Sequence, residues 1–283
     1  MTHAPLSRPR SLAATISSLV LIAVSVPCSV YEFKRAFEGV TSATDVWLAV
    51  GASSLSAIVG LIFLAWLARL RPSALAWIAA FAWGTGGALI ISGFGNGIVD
   101  PAIEASGLDE STAEFVTSVV TGPVIEEIAK AIGVIVLVLA ARRLLTRPAE
   151  GAVLGALVGL GFAWGEDVGY YLSALDDGIS GLWESFLARA LLGAFGHAIF
   201  TAVCGYALAW ALTRAVRPPQ SILSGIGGLI AAMLVHAQAN GVGLVAPEDS
   251  WNLTYGAIEL PALAVGLVLL VWGMRRRHDT LEA

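Results

Sequence analysis

The sequence predicts an all-α protein, a polytopic bundle of about eight membrane-spanning helices. Three observations carry this expectation. Hydrophobic residues make up 57% of the 283 positions and charged residues only 13%, against roughly 25% charged in a soluble domain. Mean hydropathy is +0.80. The apolar residues also gather into eight runs, near 12–30, 46–68, 75–97, 118–141, 151–173, 187–212, 221–241 and 257–274. Each run has about the 20 residues a helix needs to cross a bilayer. One integral membrane domain, 1–283, holds them all.

The first run follows Arg8 and Arg10 and has the outline of a signal sequence. No small-x-small cleavage site follows it cleanly, and Val26-Pro27-Cys28 is a poor lipoprotein box, so an uncleaved first helix is expected. Arg69–Pro72 separates the second run from the third. The polar stretch from Asp100 to Glu114 separates the third from the fourth, and 100–115 is expected as an acidic loop or short helix. Cys28 and Cys204 lie in or beside apolar runs and far apart, which excludes a disulfide framework or a paired-cysteine zinc motif.

Loop charge sets orientation. With eight spans both termini share a side, and that side holds Arg8, Arg10, Arg69, Arg71, Arg142, Arg143, Arg147, Arg214, Arg217 and Arg275–Arg277, twelve of the sixteen basic residues. Opposite lie Lys34, Arg35 and Arg189, together with Asp100, Glu104, Asp109, Glu110, Glu114, Asp176, Asp177, Glu248 and Asp249. Both termini are therefore expected in the cytoplasm, and the 100–115 stretch outside. The arginine tail reads as a topology anchor and headgroup contact. No nucleotide-binding or nucleic-acid signature occurs; the bilayer is the surrounding partner.

One stretch breaks the apolar pattern: Gly122-Pro-Val-Ile-Glu-Glu-Ile-Ala-Lys130. Three ionisable side chains inside a span would cost roughly 8–10 kcal/mol if unpaired, at about 2.5–3.5 each. Partners are therefore expected from other helices. Glu126 and Lys130 are four apart with Glu first, the better orientation for a helical ion pair. That pairing leaves Glu127 to find a partner elsewhere. Pro123 removes a backbone donor and bends the helix near the carboxylates.

Depth points to the partners. At 1.5 Å per residue, Glu126 falls roughly 12 Å below the outer boundary, Glu166 about 10 Å, His197 roughly 15 Å and His236 about 8 Å. Faces agree. Gly151, Gly155, Gly159, Phe162 and Glu166 share one face of the fifth run, with small residues at the spacing that lets membrane helices approach closely. Gly193, His197, Thr201 and Gly205 repeat the device in the sixth run, and Gly228, Ala232, His236 and Asn240 in the seventh. Thr201 and Asn240 each stand one turn beyond a histidine. Asp167 lies off the glutamate's stripe and nearer the interface, and is expected to be structural or to support the site residues from behind. His3 and His278 sit in the tails.

Any one of these residues has a packing explanation. Together they offer carboxylates and neutral imidazoles at matching depth, which are donors that suit zinc. A further carboxylate can then act as base toward a bound water.

Glu126-Glu127-x-x-Lys130, Phe162-x-x-x-Glu166, His197 in Gly-His-Ala-x-Phe, and His236-x-x-x-Asn240 occur in an order that resembles the motifs of PrsW-type intramembrane proteases. That family belongs to a wider group with the CAAX prenyl endopeptidases and Aph-1. The resemblance covers a motif-bearing core at 75–245. It implies a membrane-embedded metalloendopeptidase, with Glu126 and Glu127 as the essential glutamate pair and Glu166, His197 and His236 at the later motif positions. It further implies a bacterial plasma-membrane location and a membrane-protein substrate such as an anti-sigma factor.

Two mechanisms fit these residues. In one, Glu126 or Glu127 is the base while His197, His236 and Glu166 hold a divalent metal, zinc by donor type. In the other, Glu126 and Glu166 activate water without metal, and His236 with Asn240 stabilises the oxyanion. Phe162, Thr201 and Lys130 support either. A non-catalytic Aph-1-like scaffold has no use for two adjacent buried acids. A proton- or cation-coupled transporter would be expected to show paired repeats and broken helices, and neither is visible in the sequence.

Overall fold

The computed structural model describes residues 11–68, 72–193, 195–214 and 217–275. Arg8, Arg10, Arg69, Arg71, Arg276, Arg277, His3 and His278 lie outside the described residues. Within them the chain is helical, without strands.

Helix starts follow the capping residues. Ser11 and Ser73 accept from the backbone N–H three residues on, opening α1, Leu12–Ala36, and α3, Ala74–Glu104. Between them runs α2, Ala43–Ala68. Asp109 opens α4, Glu110–Phe115, and the hydroxyls of Ser111 and Thr112 with the Thr112 N–H hold its carboxyl down at about 2. α4 passes through a π-turn, Val116–Thr121, into α5, Gly122–Ala140. The 100–115 stretch is thus mostly the end of α3 and the start of α4, and the connector between them is short.

At the far end of α5 the turn to α6, Pro148–Ala174, is closed by Glu150. Its carboxylate accepts from the Thr146 N–H at 2.7 Å and from its hydroxyl at 3.2 Å. α7 is Gly178–Phe186, continued by a π-turn, Leu187–Leu192. α8, Gly196–Thr213, α9, Pro218–Val245, and α10, Trp251–Arg275, complete the bundle. Five described stretches are long and apolar enough to cross a membrane: Leu12–Ala36, Ala43–Ala68, Ala74–Glu104, Pro148–Thr213 and Pro219–Val245. α5 is apolar apart from its three ionisable residues.

The expected span 187–212 is not one helix. Phe195 adopts a left-handed backbone, φ +62°, uncommon for a bulky residue and worth about 1–3 kcal/mol of strain. Its ring is wedged against Gly60 and stacks on Phe63 at 6.5 Å, contacts that hold the distortion in place. α8 therefore begins at Gly196, and Gly193 leaves the stripe that the spacing assigned to it.

α6 is the central helix, buried all round from Pro148 to Phe162. Lipid tails are as apolar as leucine, so close van der Waals packing has to hold such a bundle. Glycine permits it. A Cβ on Gly151, Gly155 or Gly159 would lie 2.3, 2.3 and 2.1 Å from the carbonyl oxygens of Gly205, Thr201 and His197 on α8. The opposite face of α6 meets α3 equally closely, where a Cβ on Gly161 would lie 2.2 Å from Phe81 O and one on Gly84 2.1 Å from Val158 O. The expected glycine stripe is therefore a real contact, and it fixes which helix faces His197.

Overpacking of a core costs typically about 1–3 kcal/mol. Gly159→Ala, whose methyl would meet backbone, is expected at or above the top of that range. Gly51→Ala, where nothing lies within 4 Å of the new Cβ, is expected to be neutral. Thermal unfolding in detergent compares the two; equal midpoints would refute the close-packing account.

Candidate active site

Pro123 has no N–H to return to the carbonyl one turn back. The chain accommodates it with the π-turn Val116–Thr121, where Thr121 donates its hydroxyl to the carbonyls of Val116 and Thr117 at 3.3 and 3.4 Å. Short π insertions are frequent at functional sites. Directly after this one, Glu126, Glu127 and Lys130 turn into the bundle and are 8%, 1% and 0% exposed.

The expected pairing of Lys130 with Glu126 alone is too narrow. The ammonium donates to Glu126 Oε2 at 3.2 Å and to Glu127 Oε1 at 2.9 Å, and stands 2.8 Å from His197 Nδ1. One and the same side chain can reach both acids because they lie three and four residues before it on the helix. Fully buried, it uses all three N–H donors on protein. An ammonium can only donate, so His197 Nδ1 accepts. The ring proton is then on Nε2, facing Glu166 Oε2 at 3.1 Å. The aliphatic stem and charge of Lys130 also lie over the Phe162 ring, 3.9 Å from its centroid. Phe162 in turn packs on His197, ring centroids 5.3 Å apart.

Glu127 is held on three sides. Besides Lys130 it accepts from Thr201 Oγ1 at 3.0 Å and faces His236 Nδ1 at 3.2 Å. A carboxylate accepts only, so Nδ1 carries the proton and His236 Nε2 keeps its lone pair, 3.9 Å from Glu126 Oε2. This carboxylate–imidazole arrangement is the one that orients metal-ligating histidines. His236 stacks on Phe200 at 5.0 Å and meets His197 edge-on at 4.8 Å. Asn240 serves the frame: its amide donates to Ser118 O, inside the π-turn, at 2.9 Å.

Arg189, expected as an external loop charge, is drawn into the site. Carried by the π-turn Leu187–Leu192, its guanidinium donates to both Glu166 and Asp167 and lies over the Tyr170 ring at 3.8 Å. The expectation failed because Arg189 was assigned by position between two spans, although it lies within the apolar run 187–212. Asp167 is 6% exposed and structural as expected, through Arg189.

A resident metal fits the carboxylate of Glu126 and the open lone pair of His236 Nε2, while His197 joins them only when its nitrogen is released from Lys130 or Glu166. Among the described residues, Glu126, His197 and His236 bring ligand atoms within 4.8 Å of one another. Glu166 is instead engaged by Arg189 and His197. Formal charge agrees: Glu126, Glu127, Glu166 and Asp167 against Lys130 and Arg189 is four negative and two positive, a net of −2, which a divalent cation neutralises. Beside the cluster lies a largely apolar cavity of about 820 Å³, whose wall includes His197, Arg189, Asn240 and Glu259.

No curated protein and no solved structure matches the chain. The family model described as "PrsW family intramembrane metalloprotease" matches residues 72–274, extending past the 75–245 core through α10. With its acids and histidines converging inside a membrane-type helix bundle, the chain belongs to the PrsW family of intramembrane metalloproteases and is a membrane protease.

Proposed function

We propose that this protein hydrolyses peptide bonds of membrane-associated proteins near the extracytoplasmic face of a bacterial plasma membrane. The observation that carries the reading is the meeting of Glu126, His197 and His236 within 4.8 Å, each backed by a further acid or cation. Eight spans with cytoplasmic termini remain the topology we infer. α5, at 19 residues, is about 28 Å long and suffices to span, and the arginine bias is one-sided. By analogy with the family, a membrane-anchored regulator such as an anti-sigma factor is the substrate class.

Glu126, His197 and His236 would hold the metal, zinc by donor type. When bound it supplies Lewis-acid polarisation and lowers the pKa of a bound water. Glu127 keeps His236 in one tautomer and orientation, with Thr201 steadying its second oxygen. Glu166 is fixed by Arg189 and lies against His197. It is the carboxylate left to take the proton of the attacking water. The roles of Glu126 and Glu166 are thus exchanged relative to the sequence-based assignment, because Glu126 is the acid with an oxygen within 4.8 Å of ligand atoms on both imidazoles, whereas Glu166 is held by Arg189. The apolar cavity beside His197 admits the substrate segment.

One observation favours a second reading. The Lys130 ammonium already satisfies Glu126, Glu127 and His197. A metal-independent glutamate protease with Glu126 as base needs no rearrangement of that triad, and His236 would donate to the oxyanion from Nε2 as an imidazolium, keeping its Nδ1–H on Glu127. An Aph-1-like scaffold or an ion-coupled transporter is not favoured by any contact in the site.

Glu126→Gln is expected to lower kcat by at least about 10³-fold, within the loss typical of an essential catalytic group. Thermal stability should be retained, and cleavage of a membrane reporter in proteoliposomes measures the rate; near-wild-type turnover would exclude its role. Metal content separates the two mechanisms. Purified protein is expected to carry about one zinc per chain and to lose activity with chelator, whereas a metal-free, chelator-resistant enzyme establishes the second. Thr201→Val, which unpairs one oxygen of Glu127, should weaken zinc binding about 10–100-fold. Competition with a fluorescent chelator reads this, and unchanged affinity counts against Glu127 as the orienting acid.

A further inference from the structure

α10 carries an acid that the site does not use. Glu259 is 2% exposed, on a helix that is otherwise apolar around it. Gln238 Nε2 donates to its Oε1 at 2.5 Å. Among the described residues, no lysine, arginine or histidine is ion-paired with it, whereas Glu126, Glu127, Glu166 and Asp167 each have a cation. A buried carboxylate served by one neutral amide is short of donors, and buried charges are ordinarily paired.

The surroundings of Glu259 say what is missing. The residue lies on the wall of the 820 Å³ cavity that also reaches His197, Arg189 and Asn240. Leu263, one turn or about 5.4 Å along α10, packs against Phe200 and Ala239. Phe200 is the ring stacked on His236. Gln238 lies two residues from His236 and two from Asn240 on α9. The acid is therefore tied to the reacting groups through two helices. The cavity's own cation, Arg189, is already taken by Glu166 and Asp167. Within the described wall, Glu259 is the carboxyl that no cation neutralises.

We infer that the cavity is a specificity pocket in which Glu259, held by Gln238, receives a lysine or arginine side chain of the substrate segment. Its apolar walls take the hydrophobic neighbours of that residue. The inference rests on the protease reading only for the identity of the occupant, a polypeptide segment of a membrane protein. A basic side chain reaching Glu259 gains a desolvated ion pair. An apolar side chain leaves the carboxylate as it is, and an acidic one meets like charge.

The test uses single-span reporter proteins in proteoliposomes, identical except for Leu, Lys or Glu scanned through the extracytoplasmic end of the span, with a photo-crosslinking residue beside the scanned position. Crosslinking is read in the Glu126→Gln background, so that capture does not depend on turnover, and cleavage is read in the wild type. At one or two positions Lys is expected to be captured and cut about tenfold better than Leu, a difference of about 1.4 kcal/mol. The ratio should fall to about one in both Glu259→Gln and Gln238→Leu, and Glu259→Lys should favour the Glu reporter instead. A Lys-to-Leu ratio near one in the wild type overturns the inference. So does a ratio unchanged in Glu259→Gln and Gln238→Leu even if those variants melt earlier, which makes the pair a helix clamp. Lys-selective capture without cleavage of any reporter leaves the pocket standing and removes the protease reading.

Discussion

The structure depends on one ammonium. Lys130 is fully buried, and its three donors go to Glu126, Glu127 and His197. In a water-poor interior each of those groups would otherwise be a desolvated acceptor, and a lone carboxylate at bilayer depth costs roughly 2.5–3.5 kcal/mol or more. Charge pairing alone is weak evidence for stability, since an apolar core of the same volume often does as well. What this network supplies is orientation: it fixes the tautomer of one imidazole, and through Glu127 it fixes the other.

Backbone irregularity is how an apolar bundle brings such groups together. Regular helices packed side by side present fixed faces, whereas three π-turns, at Trp83–Ala88, Val116–Thr121 and Leu187–Leu192, rotate the faces that follow them. The first sets Trp83 to donate its indole N–H to Ala129 O at 3.0 Å, immediately before Lys130. The second accommodates Pro123 ahead of the glutamates, and the third delivers Arg189. Glycine does the complementary work on α6. Backbones there approach until a methyl would not fit, and His197 and Phe162 face each other beside that contact.

Two ionisable residues show where reading by sequence stopped short. The energetic test that singled out Glu126, Glu127 and Lys130 applies equally to Arg189 within 187–212 and Glu259 within 257–274. Both are lone charges in apolar runs, and both proved buried or paired in the bundle. Arg189 stands at the edge of its run, where a side-of-membrane count takes it as a loop charge, and the break at Phe195 is equally invisible in composition: nothing about a phenylalanine announces φ +62°. Asn240 was legible as a polar residue one turn from His236. That its amide serves a carbonyl in the π-turn depends on a backbone distortion in another helix.

The amino-acid sequence by itself determined the all-helical membrane character, most helix boundaries, the glycine contact face and the set of acids and histidines that meet. These follow from hydropathy, helical period and the cost of charge in an apolar run, all of which are local properties. The tertiary structure alone decided the pairing within that set. It made Lys130 shared by two acids, Glu127 the partner of His236 and Thr201, and Glu166 the partner of Arg189. It also brought Glu126 within 4.8 Å of ligand atoms on both imidazoles. Those choices turn on ångström differences in helix rotation, created where π-turns and close glycine packing shift one helix against the next.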